Sequence, residues 1–235
     1  MKIGVLDSGI GGLTVLKKII DNCPNHEYIY FGDTLNMPYG EKTREELVEC
    51  GNKIISFLEK ENVDIIVIAC GTLSNNIDYL KSSKKLISLI PLLDNKLDNY
   101  QEVTIMATPL SIKTNVYQKY IHTKLNLIAC YGLADAIEHS DIIKQEELVK
   151  KYTQNIKSDI LLLGCTHYPI IKNDIKKYYK GGIIGLEDFI VDEVKELKES
   201  FFGLKLYFSD INDTLKRNVE NILLINNIEI EKRIL

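Results

Sequence analysis

The chain has 235 residues, 45% hydrophobic and 26% charged, with 29 Lys plus Arg against 33 Asp plus Glu and a formal net charge of −4. This length fits one large domain or two small ones, and it buries about 70% of the unfolded surface without a covalent staple. The mild acidity gives no field for nucleic acid or an anionic membrane, and no stretch reaches the ~18 apolar residues of a membrane span.

In chain order, strands are predicted at 2–6, 27–31, 64–69, 103–107, 125–129, 159–163, 183–186 and 204–208, each a short, nearly unbroken apolar run. Continuous apolarity, rather than alternation, indicates parallel strands covered by helices on both faces. Helices are predicted between them at 12–21, 43–61, 74–81, 111–121, 144–156, 169–178, 188–200 and 212–224. The clearest start is Thr43-Arg44-Glu45-Glu46, a capping box in which Thr43 and Glu46 satisfy each other's orphan N–H groups. Leu47, Ile54, Ile55 and Leu58 then keep one face apolar. Pro91 to Gln101 turns polar after Leu93 and reads as a linker. The fold class is α/β.

An internal echo suggests two similar lobes. Asp64 to Cys70 parallels Asp159 to Cys165, Lys2 to Asp7 parallels Val103 to Thr108, and Tyr28 to Phe31 parallels Leu125 to Ala129. The lobes are expected as 1–94 with 204–235 and as 95–203, pseudo-symmetric, with mainly parallel sheets. Open parallel sheets bind ligands beyond the carboxyl ends of their strands, so both Cys-ending tips would meet at an interlobe cleft.

Cys70 and Cys165 each close a buried strand just before a turn, where a following helix N-terminus favours a thiolate. An isolated cysteine is more often inert core, but the matched contexts and the Thr166-His167 neighbour favour chemistry. His167 can exchange protons near neutrality. His26, His122 and His139 read as solvated surface residues, and Cys23, Cys50 and Cys130 as core or incidental thiols. The five cysteines have no zinc-knuckle spacing, and the apolar block after Met1-Lys2 is too short for a signal peptide, so a reducing, cytoplasmic setting is expected. Asp7 ends the first strand and is followed by Ser8-Gly9-Ile10-Gly11-Gly12, a turn that lets backbone N–H groups approach an anion. It lacks the dinucleotide fingerprint and the lysine of a phosphate loop. The loop from Gly32-Asp33 to Pro38-Tyr39-Gly40 reads as a cleft wall, with Asp33 alternatively a local turn cap.

These segments together resemble the glutamate racemase group of the cofactor-independent aspartate/glutamate racemase superfamily. The carrying stretches are Ile3 to Leu16, Gly32-Asp33 with Pro38-Tyr39-Gly40, Ala69-Cys70-Gly71-Thr72 and Leu163-Gly164-Cys165-Thr166-His167-Tyr168-Pro169. Ala107-Thr108-Pro109 and Phe208-Ser209-Asp210 match more weakly. The resemblance implies a cytoplasmic isomerase that interconverts L- and D-glutamate and supplies D-glutamate for peptidoglycan. By it, Cys70 and Cys165 are the facing proton carriers, with Asp7 and His167 assisting their sides. Ser8, Tyr39, Gly40, Gly71, Thr72 and Thr166 would line the site of a small acidic amino acid, with no cofactor and no metal. A homodimer is left open.

Racemisation itself makes sense of two cysteines. The Cα proton leaves one face and a proton returns to the other, so one thiolate and one thiol must act in turn. Without a carbonyl cofactor, fixed N–H groups and hydroxyls must hold the charge that develops on the carboxylate.

Three stretches depart from the family pattern. Gly71 stands where the family has Asn, Tyr131 where it has Pro after Ala-Cys, and the Gly185-Leu186-Glu187-Asp188 stretch where it has Asp-Ser. Loss of one buried hydrogen bond at Gly71 is worth about 1–3 kcal/mol, with Asn75 and Asn76 one helical turn farther on. This leaves aspartate, another small acidic amino acid, or a catalytically impaired dicarboxylate-binding relative as alternatives. Two further classes stay open on the residues alone: a Cys165–His167 nucleophilic enzyme, and a zinc or ligand-binding protein using Cys70, Cys165, His167 and Asp7.

Overall fold

The computed structural model describes residues 1–235. Its strands are β1 Lys2–Asp7, β2 Glu27–Gly32, β3 Ile65–Ile68, β4 Lys85–Ser88, β5 Glu102–Ala107, β6 Lys124–Ala129, β7 Ile160–Leu163, β8 Gly182–Gly185, β9 Gly203–Phe208 and β10 Ile230–Lys232. They form two all-parallel sheets, one ordered β10-β9-β2-β1-β3-β4 and one ordered β6-β5-β7-β8. The second sheet repeats the order β2-β1-β3-β4, element for element. β9 and β10 extend only the first, on the β2 edge.

The echo read from the sequence is therefore a repeat of topology. β1 corresponds to β5, β2 to β6 and β3 to β7, as the sequence pairing had it. The fourth pair, β4 with β8, was half-hidden, because Lys85–Ser88 is a short edge strand whose first residue is exposed. β10 was missed for the same reason: Ile230–Lys232 adds three mostly exposed residues to the outer edge.

The helices are α1 Leu13–Asn22, α2 Arg44–Lys60, α3 Gly71–Ser74, α4 Pro109–Lys113, α5 Leu133–Glu138, α6 Ile142–Thr153, α7 Lys172–Tyr178, α8 Val191–Lys195 and α9 Asp213–Leu223. The capping box of α2 forms as expected: Glu46 N donates to Thr43 Oγ1 at 3.3 Å and Thr43 N donates to Glu46 Oε2 at 2.8 Å. Several expected helices are shorter. The 74–81 helix is replaced by α3 and a 3-10 turn at Ile77–Tyr79, because β4 begins soon after. The 111–121 helix breaks at Asn115, which takes a left-handed φ of 53°, and resumes as a 3-10 turn at Tyr117–Lys119. The 188–200 helix is reduced to a 3-10 turn at Leu186–Phe189 and α8.

One apolar cluster joins the two sheets. Ile3, Val5 and Val67 share it with Val103, Ile105 and Leu162, and α1 and α9 pack into it through Leu16, Ile19 and Val219. Leu93 and Leu97 belong to it too, so the expected linker at Pro91 to Gln101 is a packed connection. Separate clusters cover the outer faces: α2 against the first sheet through Leu47, Ile54 and Leu58, and α6 and α7 against the second through Val149 and Ile175. His26 is a correction. It is buried, packs edge-on to Tyr28 and lies 3.3 Å from the N-terminal amine through Nδ1.

Candidate active site

All catalytic candidates sit at the carboxyl ends of central strands. Parallel pairing puts the ends of β1 and β3 side by side in one sheet and the ends of β5 and β7 side by side in the other. Cys70 follows β3 and is the N-cap of α3, while Cys165 lies two residues beyond β7. Of the expected site residues, Ser8, Tyr39, Gly40, Cys70, Gly71, Thr72, Cys165, Thr166 and His167 line one cleft of about 50 Å³. Asp7 lies fully buried behind it.

Each sulfur has its own polar partner. Cys70 Sγ lies 3.7 Å from Ser8 Oγ, and Cys165 Sγ lies 3.7 Å from His167 Nδ1. Burial pushes the Cys70 thiol up to about 12, reinforced by the negative charge of Asp7. A neutral thiol is therefore the resting form on that side. Burial disfavours charge on His167, but its hydrogen bonds to Cys165 and Glu138 prevail and raise it well above the ordinary imidazole value. His167 is thus the cation of the pocket.

After Cys165, Glu138 is the second support of that cation, and the sequence reading did not find it. Its Oε2 lies 2.7 Å from His167 Nε2 and accepts from Ile10 N at 3.0 Å. It ends α5, an element that was not predicted. The available signal was weak: Gly132 followed by Leu133-Ala134-Asp135-Ala136-Ile137, in which an acidic residue after an apolar turn looks like surface. The Gly-rich turn after β1 serves this arrangement. A Cβ at Gly11 would collide with His167 Nδ1, so the first lobe's backbone passes directly against the imidazole.

Asp7 is a structural hub. Its Oδ2 accepts from Gly9 N at 3.0 Å and Gly12 N at 2.9 Å, and its Oδ1 accepts from Thr166 Oγ1 at 3.5 Å. Burial raises its carboxyl, opposed by the charge of His167 and by those two N–H groups. Thr166 is held again by its carbonyl, which accepts from Thr14 Oγ1 at 3.1 Å. Thr72 and Thr108 share a hydrogen bond of 3.1 Å, and the weakly matched Thr108 lines the same cleft.

The loop after β2 lines the cleft through Met37 to Glu41, but Asp33 itself neither lines it nor caps the following 3-10 turn with its side chain. Asp33 is buried outside the cleft and accepts from Tyr39 OH at 2.8 Å and Asn36 Nδ2 at 2.9 Å. It holds the Tyr39 hydroxyl and does not line the cleft. A larger cavity of about 210 Å³ lies behind it, bounded by Lys42, Cys50 and Leu235, and it holds none of the catalytic candidates. Cys130, expected as core or incidental, is buried but lines the cleft. Tyr131 stands exposed at its wall. No group of three or more His, Cys, Asp or Glu is arranged to hold a metal ion.

Gly71 marks a tight approach. A Cβ there would lie 2.8 Å from the Gly164 carbonyl oxygen and 3.4 Å from Leu186 Cδ1. Neither neighbouring asparagine fills the cleft in its place. Asn76 Nδ2 donates back to Thr72 O at 3.2 Å, and the Asn75 amide is buried without a partner away from the cleft lining.

Two repeated parallel α/β halves, each ending a central strand in a cysteine at a shared cleft, define the class of cofactor-independent amino-acid racemases. No family model matches the chain. A glutamate racemase from Fusobacterium nucleatum is 36% identical over 92% of this chain and 85% of its own length, and one from Aquifex aeolicus is 31% identical over 95% and 94%. The chain belongs to the glutamate racemase family. Among solved structures, glutamate racemase from Francisella tularensis in complex with D-glutamate superimposes with a TM-score of 0.84 at 29% identity, covering 99% of this chain and 97% of that one. Aspartate racemase from Picrophilus torridus shares the fold, with a TM-score of 0.68 at 17% identity over 82% of this chain and 92% of that one. No helix is long and apolar enough to cross a membrane.

Proposed function

We propose that the protein interconverts L- and D-glutamate, with Cys70 and Cys165 as the two proton carriers. The observation that carries this reading is their equivalence: both follow matched strands of a repeated fold and line one cleft, each with its own polar partner. The lobes of this reading are residues 1–94 with 204–235 and residues 95–203, supported by sheet membership.

The two sides of the cleft differ electrostatically. Cys70 is a thiol, and His167 supplies the positive charge that a sulfur anion at Cys165 needs. Cys165 then takes the Cα proton of one enantiomer while Cys70 delivers its proton to the opposite face. The other enantiomer is processed by the swapped form. Asp7 keeps the Gly9 and Gly12 N–H groups oriented and ties Thr166 to the first lobe. Ser8, Thr72 and Thr166, with backbone N–H groups at the start of α3, are suited to hold the carboxylate, where negative charge grows as the proton leaves. Tyr39 and Gly40 close the wall.

The product role that fits is D-glutamate for peptidoglycan, made in the cytoplasm, where the five free thiols stay reduced. A homodimer is the assembly to test by light scattering, for which exposed Ile142 and Ile143 offer apolar surface. The decisive experiment supplies L- and D-glutamate, and in parallel L- and D-aspartate, in deuterium oxide with chiral analysis. Deuterium at Cα of the inverted product from both glutamate enantiomers supports the assignment. Exchange with aspartate alone changes the substrate, and exchange with neither amino acid ends the reading.

A further inference from the structure

Glu138 engages His167 and Ile10 through Oε2, while its Oε1 has no protein partner and the side chain keeps 7% exposure. The amino-acid cleft does not include Glu138. A separate recess of about 170 Å³ does, and its other walls are Thr34, His139, Asp210, Asn212, Thr214 and Leu215. The two cavities share no residue. Leu215 is the one apolar residue of the recess, and a polar space this large holds several waters, each needing ~10–15 Å³.

We infer that this recess is a back route by which the chain Cys165–His167–Glu138 exchanges its proton with bulk water. The inference rests on the two-cysteine reading above. In that mechanism each turnover leaves the sulfurs swapped: the one that took the Cα proton is a thiol, and the one that delivered is a thiolate. Before a second molecule of the same hand reacts, a net proton must leave one side and reach the other. At saturating substrate the cleft of about 50 Å³ refills as soon as product leaves it, so the amino acid competes with any reset through that side.

The rear chain is continuous. With Cys165 a neutral thiol, the anion that supports the His167 charge is gone, and the relay runs from the neutral imidazole carrying its proton on Nε2. As the Cys165 S–H proton reaches Nδ1 across 3.7 Å, the Nε2 proton passes to Glu138 Oε2 across 2.7 Å, and water in the recess takes it from the carboxyl group. The reverse run returns a proton. Only S–H, N–H and O–H bonds change, and no electrons are transferred. Asp7 and His167 are the charged groups on the inner side of Glu138. His139 and Asp210 lie on the recess side, with Asp210 paired to Lys232 at 2.6 Å.

The test plugs the recess without touching the cleft. Thr214→Leu fills it from the start of α9, Asp210→Leu fills it from another wall, and Thr214→Ser leaves it open. Racemisation of each glutamate enantiomer is followed from low to saturating substrate. For both plugged variants kcat/KM at low substrate stays at the wild-type value, while the rate at high substrate falls to about a tenth of the plateau, because substrate traps each enzyme form before its proton resets. Wild type and Thr214→Ser hold their plateau. Plugged variants that keep the plateau, or an equal fall in Thr214→Ser, overturn the route. Absence of turnover in the unsubstituted protein defeats the two-cysteine reading instead.

Discussion

Gly71→Asn puts back the residue that the family pattern has at this position, yet in this chain it should impair catalysis. Any side chain at residue 71 starts with a Cβ 2.8 Å from the Gly164 carbonyl oxygen, which is backbone and cannot rotate aside. Tyr117 OH donates to that oxygen at 3.0 Å and holds it in place. Relief to ordinary contact needs a separation of about 0.6 Å, and overpacking of this kind costs about 1–3 kcal/mol. The displacement falls where it matters, since residue 71 follows Cys70 and residue 164 precedes Cys165. If a misplacement of about 1 Å costs about a hundredfold, the expected loss in kcat is roughly tenfold. Gly71→Ala carries the same Cβ and should lose nearly as much, which separates the steric effect from any gain by the new amide. Steady-state racemisation in both directions, read with the thermal unfolding midpoint, makes the measurement. A Gly71→Asn variant with wild-type or higher kcat and an unchanged midpoint would refute the reasoning.

Cys70→Ser and Cys165→Ser should each reduce full interconversion by about 10²–10⁴-fold while retaining Cα deuterium exchange with a single enantiomer, a different one for each variant; chiral mass analysis in deuterium oxide reads this directly. Glu138→Gln removes the carboxylate at 2.7 Å from His167 Nε2, so the raised His167 pKa should fall and the alkaline limb of the rate profile should move to lower pH. The linked stability has a definite sign. Because His167 lies above its reference of 6.5 in the folded protein, its contribution is complete below that value and is lost as pH rises through the raised one. In Glu138→Gln that alkaline loss should begin at lower pH in urea titrations, and identical profiles for the two proteins would remove the role given to Glu138. Thr43→Ala breaks the cap of α2, outside the cleft, and should cost about 1 kcal/mol in chemical unfolding with kcat unaltered.

The sequence by itself determined the α/β class, the repeated strand order and the placement of both cysteines just beyond strand ends. Buried parallel strands must be apolar along their whole length, and a polar residue that ends such a run marks the sheet's carboxyl edge. Asp7, Cys70 and Cys165 stand at those edges, so their common location followed from local pattern. The short edge strands β4 and β10 were less legible, since an exposed edge needs little apolarity. The broken helices near residues 75 and 115 were hidden because periodicity does not record where packing cuts a helix short.

Tertiary structure alone decided the partners. Glu138 lies 29 residues before His167 in the chain, and Ile10 lies 128 residues before Glu138, yet one carboxylate oxygen serves both. The meaning of Gly71 was likewise invisible locally: it reads as a lost amide until Gly164 is seen to pass against it from the other sheet. His26 turned from surface to interior by the same kind of event, the arrival of the N-terminal amine beside it. Strand pattern depends on neighbours within a few residues, whereas charge, hydrogen bonding and close approach depend on whatever the fold brings across the gap.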